Sequence, residues 1–529
     1  MEYILFISIY LIGLVAVGAF KSSSIKNSED FMVAGRTLPW YVLVGTLLAT
    51  WMGSGSLFSG AGLGYRNGLA SLWSSGGAWL GIALIYFIAK RIRNFGKITV
   101  PDIFRERYGN TSALLAMVAT VIAYLTIVSY QFRGGGKVLE MVTDGAISLE
   151  AGIVITAVFA ILYTVLAGMF SVVYTDVLNG VLMSVGSILA LVFMVNSVGG
   201  VEEIILHAEA SGKWSLFGNW SSERLGQTSG PVIALSFFVP TLLLLMGDAN
   251  MYQRIFSAKN GGSAKKAILF WIVGVIVLET TISALGLTGS VAVDKGLIPN
   301  VVLQNQQILI NESNISGIPV SDGDMLIALQ DGSESIIPLI SKSSVIPIFI
   351  GLVLASTMMA IIISTADSFL LIPATNLTRD VYQRYINPNA SEEKVIYISR
   401  VLVVLLGLIA YLLVSQFKTV LGAAFTAYNI YGASLTPSLI AAFTWKRATN
   451  EGAIASILTG TTVTIVWTFF FPNFEWFSTL HPFLQELTYP AAGLSISMLI
   501  IVSLLTPAPN KKVWGKFFNE RDLTSSNNN

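Results

Sequence analysis

The sequence predicts an all-α integral membrane protein built as two halves, each opening with an interrupted helix. Three observations carry that expectation. Hydrophobic residues make up 54% of the chain and charged ones only 12%, against about 25% charged in soluble domains. Thirteen apolar stretches of about 20 residues, enough to cross a bilayer, lie near 3–20, 38–63, 69–89, 112–132, 149–171, 175–197, 231–254, 267–291, 345–374, 396–416, 421–445, 452–471 and 486–506. Two of them, five spans apart, are broken near their middles, and interrupted helices at matching positions mark an inverted-repeat transporter.

In chain order, the first stretch lacks a basic start and a small-residue cleavage site, so it reads as a retained leading span, not a signal peptide. It and the loop after it form a segment 1–37. The first five-span repeat, 38–197, opens with LPWYVLVGTLLATWMGSGSLFSGAGLGY, interrupted at Gly53-Ser54-Gly55. Its third span ends in YQFRGGGK (Tyr130 to Lys137); with no strand before it and no Ser or Thr after the Lys, this is no phosphate loop but an outer gate or helix end. Its fifth span carries an acid, Asp176, either a helix N-terminal acid on the dipole or a site residue. A polar segment 198–230 leads to the second repeat, 231–445, whose opening span is interrupted by Pro240 and Gly247-Asp248. Glycine is common in membrane helices for packing alone, but two breaks at matching positions favour a binding site, since a break frees carbonyls for a cation. Within this repeat Glu279 falls near mid-membrane, and 292–344 is a second polar Gly/Ser-rich segment. Trailing spans occupy 446–506, and the tail 507–529, ending SSNNN, is expected to be disordered.

The stretch Val345 to Leu377 is an apolar helix-length segment interrupted by Ser364, Thr365, Asp367 and Ser368, which fan across roughly 160° of one helical face. Hydroxyls and an acid at membrane depth suit a small hard cation that takes oxygen ligands. The competing reading bonds the hydroxyls back to their own helix carbonyls.

Lys and Arg set the orientation. With the amino terminus outside and the carboxyl terminus inside, 23 of 31 basic residues fall in inside segments. Zero cysteines exclude disulfides and thiolate chemistry. His207 and His481 both fall in expected outside segments, so a buried histidine base, and with it a membrane hydrolase, is not expected. A net charge of +1 offers no draw for nucleic acid. Asn219, Asn311 and Asn314 begin N-x-Ser sequons, which are weak signals.

Five ordered motifs together resemble the sodium:solute symporter family: SEDFMVAGRTLPW (Ser28 to Trp40), GMFSVVYTDVLNG (Gly168 to Gly180), YQRIFSAKN (Tyr252 to Asn260), ISTADSFLL, and TPSLIAAFTWKRATNEGAIASILTG (Thr436 to Gly460). The resemblance covers roughly 3–470. It implies a LeuT-like five-plus-five inverted repeat with an outside amino terminus, sodium as coupling ion, and symport of a small organic solute across the plasma or inner membrane. A sodium-independent channel or a sensor on the same fold is the alternative; an enzyme is not expected.

Carried over by position, the family's principal sodium site takes carbonyls of Ala49, Met52 and Ile361 and hydroxyls of Ser364 and Thr365. A second ion site found in some relatives maps to Asp176, Ser364, Asp367 and Ser368. If Asp176 and Asp367 share a site, they bridge a cation or hold one proton between them. The solute region maps to Trp51, Ser54, Trp73, Ser75, Tyr130, Gln131, Thr241, Asp248, Glu279, Tyr428, Asn429 and Tyr431, each aromatic also being open to a packing role. By the same alignment Ser75 and Thr241 replace an acid and an asparagine of sugar carriers, and Trp51 replaces an acid of proline carriers, so neither solute is expected. Glu279 is expected to stay neutral, to meet a cationic or amine solute, or to pair with Arg133.

Overall fold

The computed structural model describes residues 2–22, 32–97, 99–218, 230–316 and 319–518. Lys26, the Asn219 sequon and residues 519–529 of the tail lie outside them. The apolar stretches are helices because a backbone in hydrocarbon must satisfy its own N–H and C=O groups. In order come α1 (Glu2–Ser22), α2 (Trp40–Trp51), a wide turn Gly55–Gly60 running into α3 (Ala61–Asn67), α4 (Leu72–Asn94), α5 (Asn110–Val142) and α6 (Leu149–Ser197). The second half runs through α7 (Gly230–Gly247), α8 (Ala249–Ser257), α9 (Gly261–Asp294), α10 (Asp322–Glu334), α11 (Ile348–Asn376), α12 (Glu392–Leu413), α13 (Val420–Ser434) and α14 (Thr436–Thr444). Last come α15 (Asn450–Phe469), α16 (Thr488–Leu505) and α17 (Lys511–Phe518). Ten helices among the described residues are long and apolar enough to cross a membrane.

Large apolar side chains face outward along these helices: Phe87, Leu412 and Leu505 are 74%, 69% and 80% exposed, an arrangement for lipid and not for water. Both expected interruptions are present, between α2 and the turn at Gly55 and between α7 and α8. The single parallel β-bridge among the described residues joins Leu38, just before α2, to Ala258, just after α8, so the two broken helices are tied at one end.

Three expectations need correction, and a fourth stands with one qualification: 149–171 and 175–197 are two spans, Leu149–Leu166 and Val172–Ser197, though their helical backbone is continuous. The Tyr163 and Thr175 hydroxyls lie 2.7 Å apart, whereas twelve residues of straight helix would separate their backbones by about 18 Å, so the run bends sharply between them. The span 421–445 is two helices, α13 and α14, the second opening with Pro437. The polar segments are not plain loops, since Val201–Ala210, Val301–Ser316, α10 and Ile336–Lys342 are helical. The tail is ordered as far as α17, because Phe517, 1% exposed, packs on Phe95 and Phe443 at ring distances of 4.7 and 5.4 Å.

The segment 292–344 is held by one buried acid. Glu334 accepts hydrogen bonds from Lys137 Nζ (2.9 Å) and from the amides of Val420 (3.1 Å) and Leu421 (2.8 Å) at the start of α13. Lys137 and Arg133 also reach Asp331, at 2.7 and 3.5 Å. Arg133 is therefore engaged here and is not the partner of Glu279. YQFRGGGK thus supplies cations that pin α10 to α5.

Close backbone approach needs glycine at several helix crossings, Gly286 among them. A Cβ on Gly286 would lie 2.1 Å from the Ala61 carbonyl oxygen, whereas one on Gly493 meets nothing within 4 Å. Gly286→Ala is expected to destabilise the protein by about 1–3 kcal/mol, and Gly493→Ala to be neutral or stabilising by up to about 1 kcal/mol. Unfolding of the purified protein in detergent measures both.

Candidate ion and solute site

The break after α2 begins with backbone hydrogen bonds that go astray. Met52 leaves the helix with ψ 60°, Gly53 N turns back to Trp51 O (3.0 Å), and Ser54 N donates to Gln131 Oε1 (2.9 Å). In a continuous helix those two amides would serve the carbonyls of Ala49 and Thr50, which therefore lose their regular partners. Gln131 on α5 is a positioning residue here: it takes up the amide that would otherwise close the helix. Ser54 Oγ donates to Tyr130 O (3.2 Å). A Cβ at Gly53 would lie 2.6 Å from Gln131 Nε2 and 2.9 Å from Thr365 Cγ2, so the break presses against both α5 and α11.

On α11 the Thr365 hydroxyl is buried and has no hydrogen-bond partner. Thr357 on the same helix donates back to Val353 O (2.7 Å), the ordinary fate of a threonine in an apolar helix. Ser364 instead donates across to Asp176 Oδ1. Ile361 is buried one turn earlier on the same face. Freed carbonyls on one helix and an unpartnered hydroxyl on its neighbour are the donor set a sodium ion takes.

A second cluster lies beside the first. Asp176 Oδ2 accepts from Thr46 Oγ1 (2.6 Å) and pairs with Arg254 Nη2 (3.3 Å), both charged groups being fully buried. Arg254 also donates to Thr46 Oγ1 (3.0 Å), Ser368 Oγ (2.7 Å) and Asn250 Oδ1. Residue order alone suggested that Asp176 and Asp367 share one cation or proton. Arg254 changes that: Asp176 already has its counter-charge, supplied by α8. Asp367 has none of this support, because both its oxygens are buried without a hydrogen-bond partner, and the Thr164 hydroxyl near it donates to Ala160 O (2.7 Å).

At the break between α7 and α8 the flanking backbone groups are satisfied, though Asp248 Oδ2 stays buried without a partner. The Tyr431 hydroxyl donates to Gly247 O (2.9 Å) and accepts from Ala249 N (2.9 Å). Asp248 caps α8 by accepting from Asn250 N (2.8 Å) and from the Tyr124 hydroxyl.

A narrow cleft with a cavity volume of only about 30 Å³ runs along the first break. Of the expected solute residues, Trp51, Ser75, Thr241, Glu279 and Tyr428 line it. Glu279 Oε1 accepts from Trp51 Nε1 (2.7 Å) and Oε2 from Trp79 Nε1 (2.8 Å). Ser54 and Gln131, which hold the first break, and Asp248, which caps α8, sit behind it. Tyr130 is buried next to Gly55, where its hydroxyl and that of Tyr428 converge. Trp73 stands apart, donating to Leu216 O (2.8 Å) and stacking on Phe217. Asn429 donates to Phe425 O (2.9 Å) and lines a different cavity, beside Trp467 and Glu486.

Sequence reading missed Arg254 and Trp79. Arg254 lies inside the quoted YQRIFSAKN, where it counted only as a basic residue at the membrane edge. Trp79 is four residues beyond Ser75 and so shares its helical face.

The sodium:solute symporter family model matches residues 31–460. The chain belongs to that family. It is 25% identical over 477 residues to the osmoregulated proline transporter OpuE of Bacillus subtilis, covering 88% of each chain. It is 24% identical over 478 residues to the sodium/glucose cotransporter of Vibrio parahaemolyticus, covering 86% of this chain and 83% of that one. Among solved structures, a substrate-bound outward-open Na+-coupled sialic acid symporter superposes with a TM-score of 0.72 at 18% identity, over 96% of this chain and 99% of that one. That likeness shows the fold. This symporter is thus a multi-pass membrane protein whose coupling ion is sodium.

The Asp176–Arg254 pair makes a stability prediction. Removing one partner strands the other charge in the core, so Arg254→Met and Asp176→Asn are each expected to cost about 3–5 kcal/mol, while the double variant costs less than their sum. A double-mutant cycle by unfolding in detergent measures the difference.

Proposed function

We propose that this symporter moves a small polar organic solute together with sodium by alternating access between two five-helix repeats, 38–197 and 231–445, preceded by 1–37, joined by 198–230 and followed by 446–506 and the tail 507–529. The amino terminus lies outside and the carboxyl terminus inside, which the distribution of Lys and Arg supports. The membrane is the plasma or inner membrane.

The principal sodium site consists of the carbonyls of Ala49, Met52 and Ile361 and the hydroxyls of Ser364 and Thr365. The observation that carries this reading is the pairing of a broken ladder with an orphan: carbonyls released at the first break face a helix whose Thr365 hydroxyl has no partner. Sodium binding there ties α2 to α11 and raises the population of an outward-open state competent for solute. Linkage then requires solute to raise sodium affinity by the same factor, typically 1–3 kcal/mol. Asp367, with Ser368 and the Arg254-neutralised Asp176 beside it, forms a second site, taking either a second coupling ion or a proton. Solute sits in the cleft lined by Trp51, Ser75, Thr241, Glu279 and Tyr428. The proline and glucose carriers are too distant to hand over their solutes.

Uptake into proteoliposomes is the test. An inward sodium gradient should drive accumulation, and accumulation indifferent to that gradient removes the reading in favour of a channel. Thr365→Val is expected to raise the sodium concentration for half-maximal uptake about tenfold or more, the scale of one hydrogen-bonding group lost from an ion. It is a cleaner probe than Ser364→Ala, which also deprives Asp176 of a hydrogen bond. Asp367→Asn is expected to alter the sodium-to-solute ratio or the pH dependence of uptake, read by paired isotope flux across a pH series; no change in either discards the second site.

A further inference from the structure

Taking the symport reading as given, we propose that the solute is a small organic cation, and that Glu279 on α9 is its counter-charge inside the cleft. Glu279 is 6% exposed and opens onto the cleft. Each of its two oxygens accepts an N–H bond from an indole, at 2.7 and 2.8 Å. Indole is a donor only, and an acceptor engaged on both oxygens at these short lengths is the carboxylate. A neutral carboxyl would have to turn one oxygen's proton toward an acceptor; the indoles offer none, and the Ser75 hydroxyl beside Glu279 is the one group in contact with it that could accept.

The charge is held by neutral groups alone. Three other buried acids have cations: Asp176 has Arg254, Glu334 has Lys137, and Asp380 has Arg105 at 2.8 Å. Glu279 has no ion pair with a Lys, Arg or His among the described residues, and none of those three residue types lines the cleft. The rest of the lining is uncharged, and includes hydroxyl-bearing residues such as Ser56, Ser75 and Thr241 and the aromatic rings of Trp51, Phe425 and Tyr428. Trp51 and Tyr428 lie 6.3 Å apart and tilted by 30°, with Phe425 5.5 Å beyond. Such rings attract an ammonium over their faces. The cleft therefore offers an anion, π faces and hydroxyls to a ligand, and no group that would hold an anionic one. A monocation of ammonium type is complementary on every count, and a buried charge left without a partner is otherwise costly.

The test uses isosteric probes on the full-length protein. Choline and its uncharged carbon isostere 3,3-dimethylbutan-1-ol, and n-butylammonium and n-butanol, are compared for thermal stabilisation of the protein in nanodiscs in sodium, with isovalerate as the anionic probe. The expected result is that the ammonium probes act at concentrations on the order of ten- to hundredfold below their neutral partners, and that Glu279→Gln brings the ratio to about one. Glu279→Asp keeps the charge and should keep the preference, which separates a lost charge from a damaged fold. The proposal is overturned by neutral or anionic probes matching the ammonium ones, or by a preference that survives Glu279→Gln. The shift that sodium alone produces over potassium, without any probe, is read separately: its absence sinks the sodium coupling while leaving the cation preference to be judged on its own.

Discussion

A backbone carbonyl inside a membrane must find a donor or a cation, because no water is at hand to serve it. The first broken helix is arranged around that requirement. Its amides at Gly53 and Ser54 are diverted, one to the preceding turn and one to Gln131, so the carbonyls of Ala49 and Thr50 are left for something other than the helix. The second break looks equivalent in sequence and is not. Tyr431 serves both the carbonyl of Gly247 and the amide of Ala249, and Asp248 caps the start of α8. One break is closed by protein groups, while the other is left open against α11. This asymmetry is the reason the proposed ion site is placed at the first break and not the second.

The buried charges obey the same rule. An ion taken out of water costs several kcal/mol unless it is paired and hydrogen-bonded, and Asp176 with Arg254, Thr46 and Ser364 satisfies both conditions. That network also touches the sodium-site hydroxyl, since the serine that bonds Asp176 is the same Ser364 proposed as a ligand. Removing or adding a positive charge near α11 is therefore felt on α6 and α8 together. Asp367 lies outside this network with neither oxygen bonded, and an acid so placed in the apolar interior is a standing demand for a cation or a proton.

Much of this was legible from residue order. The helical class, the two breaks, the hydroxyl face at 364–368 and the position of Glu279 are all set by hydropathy and by polar residues in apolar runs. The features that escaped have a common cause: they depend on which helices lie side by side. Arg254 counts as an edge cation until α8 is seen to end against Asp176. Trp73 and Trp79 are alike as letters, yet one stacks at the rim on Phe217 and the other donates to Glu279. The helices within 292–344 were hidden because Glu334 is polar by composition and buried only through Lys137 and the start of α13.

Trp51 gives the two proposed sites a physical link. It is the last residue of α2, and its carbonyl receives the turned-back amide of Gly53 that defines the break. Its indole reaches across to Glu279 at the cleft. A solute that draws Glu279 toward itself pulls on the residue at which the ladder opens, and an ion that fixes the carbonyls around Ala49 fixes the same indole in return. Coupling of this kind needs no long pathway, only a shared residue whose position both ligands bias. The energy that one ligand contributes to the other is then limited by how rigidly Trp51 is held between Glu279 and the break.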